Sequence, residues 1–189
     1  MSSSPNSFVQ PKSAQRGVAA LEFALVAIPF FLLLFGVIEF GRLMYLWNTV
    51  QEVTRSAARQ AVVTDFTDTG ATGAITQLKR LAVFRSTAGT LPAASEVSDV
   101  MVNIKYLQSD GATAVSPMPT DPGDNISACL DVSRASSCIR YVEVKVCSGN
   151  PCVAVAFQPM LGMFSFLGTL TIPVSTVRMP SESLGFAPS

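Results

Sequence analysis

Five residues carry most of the chemistry this chain can offer: one glutamate, Glu22, and four cysteines, Cys129, Cys138, Cys147 and Cys152. Glu22 stands at the head of a run with no charge from Phe23 to Ile38. A carboxylate there costs up to roughly 2 to 3 kcal/mol at mid-membrane, and ionisable residues in spans usually have a partner or a function. The bland alternative is that Glu22 snorkels to the headgroups. The cysteines are even in number and lie far beyond the apolar run, where an oxidising compartment favours disulfides. Four cysteines permit three pairings. The sequence-adjacent one, Cys129 to Cys138 and Cys147 to Cys152, is favoured because Cys147 and Cys152 end two expected hairpin strands and would face each other across Ser148 to Pro151. Each short loop would restrict the unfolded chain by roughly 2 to 3 kcal/mol. A four-cysteine zinc site is the competitor, but neither gap is the two-residue one such sites use. No metal or cofactor is expected.

The chain has no histidine. This removes the usual general base, zinc ligand and nucleophile activator together. There is neither a Gly-x-x-x-x-Gly-Lys phosphate loop nor a Gly-x-Gly-x-x-Gly after a strand. No catalytic residue, small-molecule substrate or enzymatic activity is expected. Lysine plus arginine and aspartate plus glutamate number 13 each among 189 residues, so no bulk charge attracts nucleic acid. Asp121, Asp124 and Asn125 fit no EF-hand spacing.

These residues need elements to place them. As a helix, Val18 to Ile38 is about 31 Å long, close to the roughly 30 Å hydrocarbon core of a bilayer. Lys12 and Arg16 precede it with no acid among the first 21 residues, while Glu39 and Arg42 offset each other beyond it. The positive-inside bias therefore puts the N-terminus in the cytoplasm and the chain after about residue 43 outside the inner membrane. A cleaved secretory signal would need a shorter core and an Ala-x-Ala-like site, which the exit Gly36 to Arg42 lacks. Pro29 removes one backbone bond inside the run, which membrane helices tolerate.

The helix should continue to about Val63. Leu43, Leu46, Val50, Val53, Ala57 and Ala61 form an apolar stripe, with Asn48, Gln51, Glu52, Arg55 and Arg59 on the other faces. The chain's own globular part, rather than a partner helix, is the expected cover. Tyr45 and Trp47 suit the headgroup level, and Trp47 suits a core position equally. Threonines, aspartates and two glycines make 64–73 a linker. A second helix follows from Ala74 to about Ser86, with Ile75, Leu78, Leu81 and Ala82 on one face. A strand from Val100 to Leu107 sets Val102, Ile104 and Tyr106 against Met101, Asn103 and Lys105. Residues 108–139 read as loop, with turn signals throughout. Tyr141 to Cys147 and Cys152 to Phe157 read as a hairpin. A short apolar helix from Pro159 to Leu167 and a last strand from Thr169 to Arg178, broken at Pro173 as an edge strand would be, complete the head. The tail from Pro180 reads as loose. No charge occurs between Lys145 and Arg178. Prolines, glycines and strand periods there argue against a second span; the stripe Phe157, Met160, Leu161, Phe164 and Leu167 is core or a patch touching membrane or another subunit.

A short basic leader ending in Gly17, with glutamate at the fifth position after it and a long apolar helix, resembles the class III signal of type IV pilin-like proteins. More narrowly, Gly17-Val18-Ala19-Ala20-Leu21-Glu22-Phe23-Ala24-Leu25, then Phe31 to Arg42, then Ala57-Ala58-Arg59-Gln60-Ala61, is similar to the TadE-like family, minor pseudopilins of the tight-adherence (Flp-type) pilus machinery. The similarity is densest over residues 16–63. It implies removal of residues 1–17 by a prepilin peptidase, between Gly17 and Val18, and a Glu22 that neutralises a neighbouring subunit's amino terminus. Glu22-Phe23 stands where the major pilins of that system have Glu-Tyr, which favours an accessory subunit, as does the length. The resemblance also implies a bacterial cell, in which the triplet Asn125-Ile126-Ser127 alone predicts little glycosylation.

The expected fold is α+β: a leader (1–17), a transmembrane and amphipathic helix (18–63), a linker (64–73) and a periplasmic head (74–189) with a small antiparallel sheet packed on the outer half of the helix. The implied role is assembly or priming of the pilus through helix packing. The inner membrane, the prepilin peptidase and other pilin-like subunits are the implied partners. The alternative is an unprocessed, membrane-anchored structural or adhesive module.

Overall fold

The computed structural model describes residues 14–160 and 162–186, and the side chains of these except at 14–16, 163, 164, 166 and 167. The expected leader lies outside the described residues as far as Ser13. Two compact units are present, Met1–Arg42 and Leu43–Ser189.

Helix α1, Ala14–Ala61, is the first and longest element. Ala and Leu, strong helix formers, recur along it, and Pro29 lies within it. It ends as its bonds tighten: Val62 N–H still reaches Ala58 O at 3.3 Å, but Val63 N–H bonds Gln60 O at 3.2 Å. In the first unit its apolar side chains from Val18 to Phe40 are largely exposed. From Leu43 the pattern changes. Leu43, Leu46, Val50, Val53, Ala57 and Ala61 are all buried in the core of the second unit, so the stripe is covered by the chain's own head.

The core is closed by a three-stranded antiparallel sheet of order β3-β4-β7, with β3 Val102–Leu107, β4 Tyr141–Val146 and β7 Ser175–Pro180. Register sets Val102, Val146 and Ser175 side by side, then Ile104, Val144 and Val177, then Tyr106, Val142 and Met179. This is the core face. The other face carries Asn103, Lys145 and Thr176, then Lys105, Glu143 and Arg178. Two small pairs flank the sheet: β1 Thr90–Leu91 with β2 Ala94–Ser98, and β5 Val155–Ala156 with β6 Thr171–Ile172.

Several sequence expectations need correction. Helix α2 runs Ala74–Ala82, short of Ser86. Its end is a Schellman-type reversal, in which Arg85 N–H bonds Arg80 O, Phe84 N–H bonds Leu81 O, and Phe84 takes φ +57°. Ile75, Leu78 and Ala82 are buried, but Leu81 is exposed. Asp99–Met101 is a 3₁₀ turn, so β3 starts at Val102 rather than Val100.

The stretch 108–139 is not all loop: it holds α3, Pro122–Leu130, and a 3₁₀ helix, Val132–Ser137. The Asp-Pro-Gly-Asp signal read as a turn is a helix start, with Asp121 as N-cap accepting from Asp124 N–H at 2.8 Å and Pro122 in the first turn. Only Asn125 and Ala128 of α3 are buried, too few to leave an apolar period in the sequence.

The expected hairpin also fails beyond its turn. Ser148 and Val153 exchange two bonds of 2.9 Å, but β5 then pairs with β6. Both sides of β4 are already taken by β3 and β7, so no third partner can zip onto it. The apolar helix expected over Pro159–Leu167 is a 3₁₀ helix over Gly162–Thr169. Of its stripe, Phe157 is buried and Met160 exposed; Leu161 and the side chains of Phe164 and Leu167 lie outside the description. The last strand is split as β6 and β7 around Pro173, and β7 is an edge strand. The tail is not loose: Glu182 and Leu184 N–H both bond Val62 O, and Leu184 is buried.

Candidate assembly site

The apolar part of α1 places the residues singled out near its start. Gly17 has no atom within 4 Å of where a Cβ would stand. Val18 and Phe23 are exposed, the latter by 74%, and so is Glu22. Val18 and Glu22 lie one turn apart on the same face, about 6 Å along the axis. Among the described residues none hydrogen-bonds or ion-pairs with Glu22. The carboxylate is therefore available to a cation that approaches from outside the chain. Around it Leu21, Leu25, Val26, Ile28, Phe30, Leu33, Val37 and Ile38 are bare. One described helix, over Gly17–Ala61, is long and apolar enough to cross a membrane. At the end of the run Glu39 is buried, and its carboxylate stands 3.6 Å from the Arg42 guanidinium.

The cysteines are placed elsewhere, in the second unit. Cys129 is bonded to Cys138 and Cys147 to Cys152, with Cα atoms 4.7 and 5.4 Å apart. All four sulfurs are thereby consumed. The first bridge ties α3 to the segment entering β4, and the second closes the turn after β4. Asp121 and Asp124, the residues closest to a cation loop in the sequence, are occupied by the α3 cap and by the Arg134 guanidinium at 2.7 Å. Hydrogen bonds from Thr120 N–H and Arg134 hold the Asp124 carboxyl below its ordinary range. Among the described residues no three His, Cys, Asp or Glu cluster as metal ligands would. Asn125 is buried, and its Oδ1 accepts from Ile139 N–H at 2.8 Å, so the glycosylation-like triplet is a structural clamp.

Sequence reasoning missed one polar cluster. On the outer sheet face the buried Glu143 accepts from Lys145 Nζ at 2.8 Å and from Arg178 Nε, with Lys105 opposite it in register. Burial pushes the Glu143 carboxyl up, but the bonds from Lys145 and Arg178 outweigh it and hold the group below its ordinary 4.5. Only the register of β3 and β7 on either side of β4 reveals this row. Trp47 lines a cleft of about 260 Å³ with Gln51, Arg55 and the turn from Ile172 to Val177. Tyr45 Oη donates to Pro92 O at 3.4 Å.

No curated protein and no solved structure matches the chain. A family model does: residues 17–59 match the TadE-like protein family. The matched segment holds Gly17, Glu22, the bare apolar run and most of the buried stripe. Over that segment the chain is similar to the TadE-like family.

Proposed function

We propose that this chain is an accessory pseudopilin, cut between Gly17 and Val18 by a prepilin peptidase, whose apolar helix packs with other pilin-like subunits to assemble or prime a tight-adherence pilus. Its amino terminus lies in the cytoplasm and its head in the periplasm; it turns over no substrate and binds no nucleic acid. One observation supports the reading: α1 is a single helix whose apolar side chains are largely exposed from Val18 to Phe40 and buried in a stripe from Leu43 onward. A helix that serves only its own head would not keep a second apolar segment uncovered.

Removal of residues 1–17 would leave a new ammonium at Val18, one turn from Glu22. Two such charges are individually costly in lipid and balance best when each meets its counterpart on a neighbouring subunit. N-terminal sequencing and intact mass of the membrane-extracted protein should give Val18 as the first residue. A terminus at Met1 or Ser2 sinks the processing step and leaves the unprocessed anchor. Gly17→Ala should accumulate the longer form. Glu22→Gln should be made, inserted and largely cleaved, yet lose crosslinks to partner subunits and reduce piliation. Unchanged crosslinking and piliation would mean that Glu22 merely snorkels.

A further inference from the structure

The two outer strands of the three-stranded sheet differ at their free edges. The edge of β3 is met by the chain that follows it, where Val115 N–H bonds Tyr106 O at 3.0 Å and Leu107 bridges to Ala114. The edge of β7 has no such cover among the described residues. Ser181 N–H bonds Arg140 O, and along an antiparallel pair the residues bonded to one neighbour alternate with those turned away from it. The register therefore aims the backbone of Ser175, Val177 and Met179 at β4 and that of Thr176 and Arg178 outward. Both outward residues are exposed. An open strand edge is a pairing hazard that charges and prolines blunt, and Pro173 and Pro180 bracket this one, leaving a short stretch on which a further strand can pair.

Beside that stretch lies the cleft of about 260 Å³ between Trp47, Gln51 and Arg55 of α1 and the chain from Ile172 to Val177. A strand added to β7 would turn alternate side chains to α1 and the others to the outer sheet face. Both sides favour acids. No carboxylate lines the cleft, and Arg55 is exposed with no ion pair among the described residues; Glu52 precedes it by one turn but does not line the cleft. On the outer face three cations, Lys105, Lys145 and Arg178, stand in register around one acid, Glu143.

We propose that the open edge of β7 and this cleft form a docking site for an extended acidic segment of another protein, which adds to the sheet as a fourth strand. Main-chain bonds to Thr176 and Arg178 hold the segment, and its carboxylates meet Arg55 on the helix side and the cation excess around Arg178 on the outer side. The same charges disfavour a second copy of this chain, whose own β7 edge would bring further cations to the same place. The site belongs to the head alone, so it goes beyond the assembly reading and stands whether or not residues 1–17 are removed.

The test titrates the full chain, in non-ionic detergent micelles, with the peptide Thr-Val-Glu-Val-Glu-Glu-Val-Thr and with its counterpart carrying Lys in place of every Glu. Trp47 is the only tryptophan, so its emission reports the cleft directly. The expected result is a saturable change with the acidic peptide and none with the basic one up to about 1 mM. Hydrogen exchange should slow at the Thr176 and Arg178 amides and stay unchanged along β3. Arg55→Glu should weaken the acidic peptide by about tenfold and let the basic one bind. Thr176→Pro, which removes an outward N–H and spares the bonds to β4, should weaken it by about tenfold as well. Unchanged protection of the Val177 amide in each variant establishes that the sheet is intact. Equal affinity for the two peptides, no saturable change with the acidic one, or binding without protection at Thr176 and Arg178 would each overturn the proposal. Protection of those two amides that grows with protein concentration in the absence of peptide would overturn it in favour of a second copy.

Discussion

Single residues in the head work against neighbours that the sequence does not show beside them. Glu143 is one of them. Its folded carboxyl lies below its ordinary value, so the stability it contributes is present above about pH 4.5 and is lost as pH falls through the lower, folded value. Glu143→Gln should cost about 1 to 2 kcal/mol at pH 7, because Lys105, Lys145 and Arg178 then face one another without an anion, and it should flatten stability below pH 4.5. Urea melts at pH 3 and pH 7 check both. Tyr106 is the opposite case. Burial and the nearby Asp65 push its phenol well above the ordinary range, and its hydroxyl has no hydrogen-bond partner among the described residues. Tyr106→Phe should therefore be neutral or stabilise by about 1 kcal/mol, measured by the same melts.

At the level of elements, the ends of helices are held by backbone conformations that side chains resist. Phe84 closes α2 at φ +57° while its ring is exposed, so it gives up little packing if replaced. Phe84→Gly should stabilise by about 0.5 to 1 kcal/mol in thermal unfolding. Gly185 is the reverse. At φ +87° it brings the chain against Asp65, whose backbone atoms would lie 2.7 Å from an added Cβ. Gly185→Ala should destabilise, and hydrogen exchange should show the loss first at the Glu182 and Leu184 amides, which donate to Val62 O.

Elements whose pattern is set by one burying surface were legible in the sequence: the stripe from Leu43 to Ala61, and the alternation of Val102 and Val142 around their sheet. Those set by partners distant in sequence were not. That both edges of β4 are taken by β3 and β7 could not be read, because vacancy on a strand is a property of the whole sheet. Helix α3 was hidden because its cap, Asp121, uses the same residues as a turn. Of the candidate site, Glu22 and Gly17 could be read from type and spacing alone, since among the described residues none bonds Glu22 and none approaches within 4 Å of a Cβ at Gly17. Glu143, made by three strands at once, could not.

On the scale of the whole molecule, the two bridges and the sheet sit in the second unit, and their removal should be felt there only. Replacing Cys129 and Cys138 together by alanine should cost roughly 2 to 3 kcal/mol, and the same holds for Cys147 and Cys152, with additive losses because the bridges share no residue. Denaturant melts of the single and combined variants check this. The order β3-β4-β7 also constrains biosynthesis. The third strand and Leu184, which seals the end of α1, are made after every other part of the core. A nascent chain therefore leaves the ribosome with Leu46, Val50 and Val53 uncovered until synthesis has passed Pro180, and a chain stopped at Val174 should remain protease-sensitive throughout its head. In the proposed topology a head that lacks its last strand until synthesis ends would cross the inner membrane still extended, without any domain having to be unfolded first.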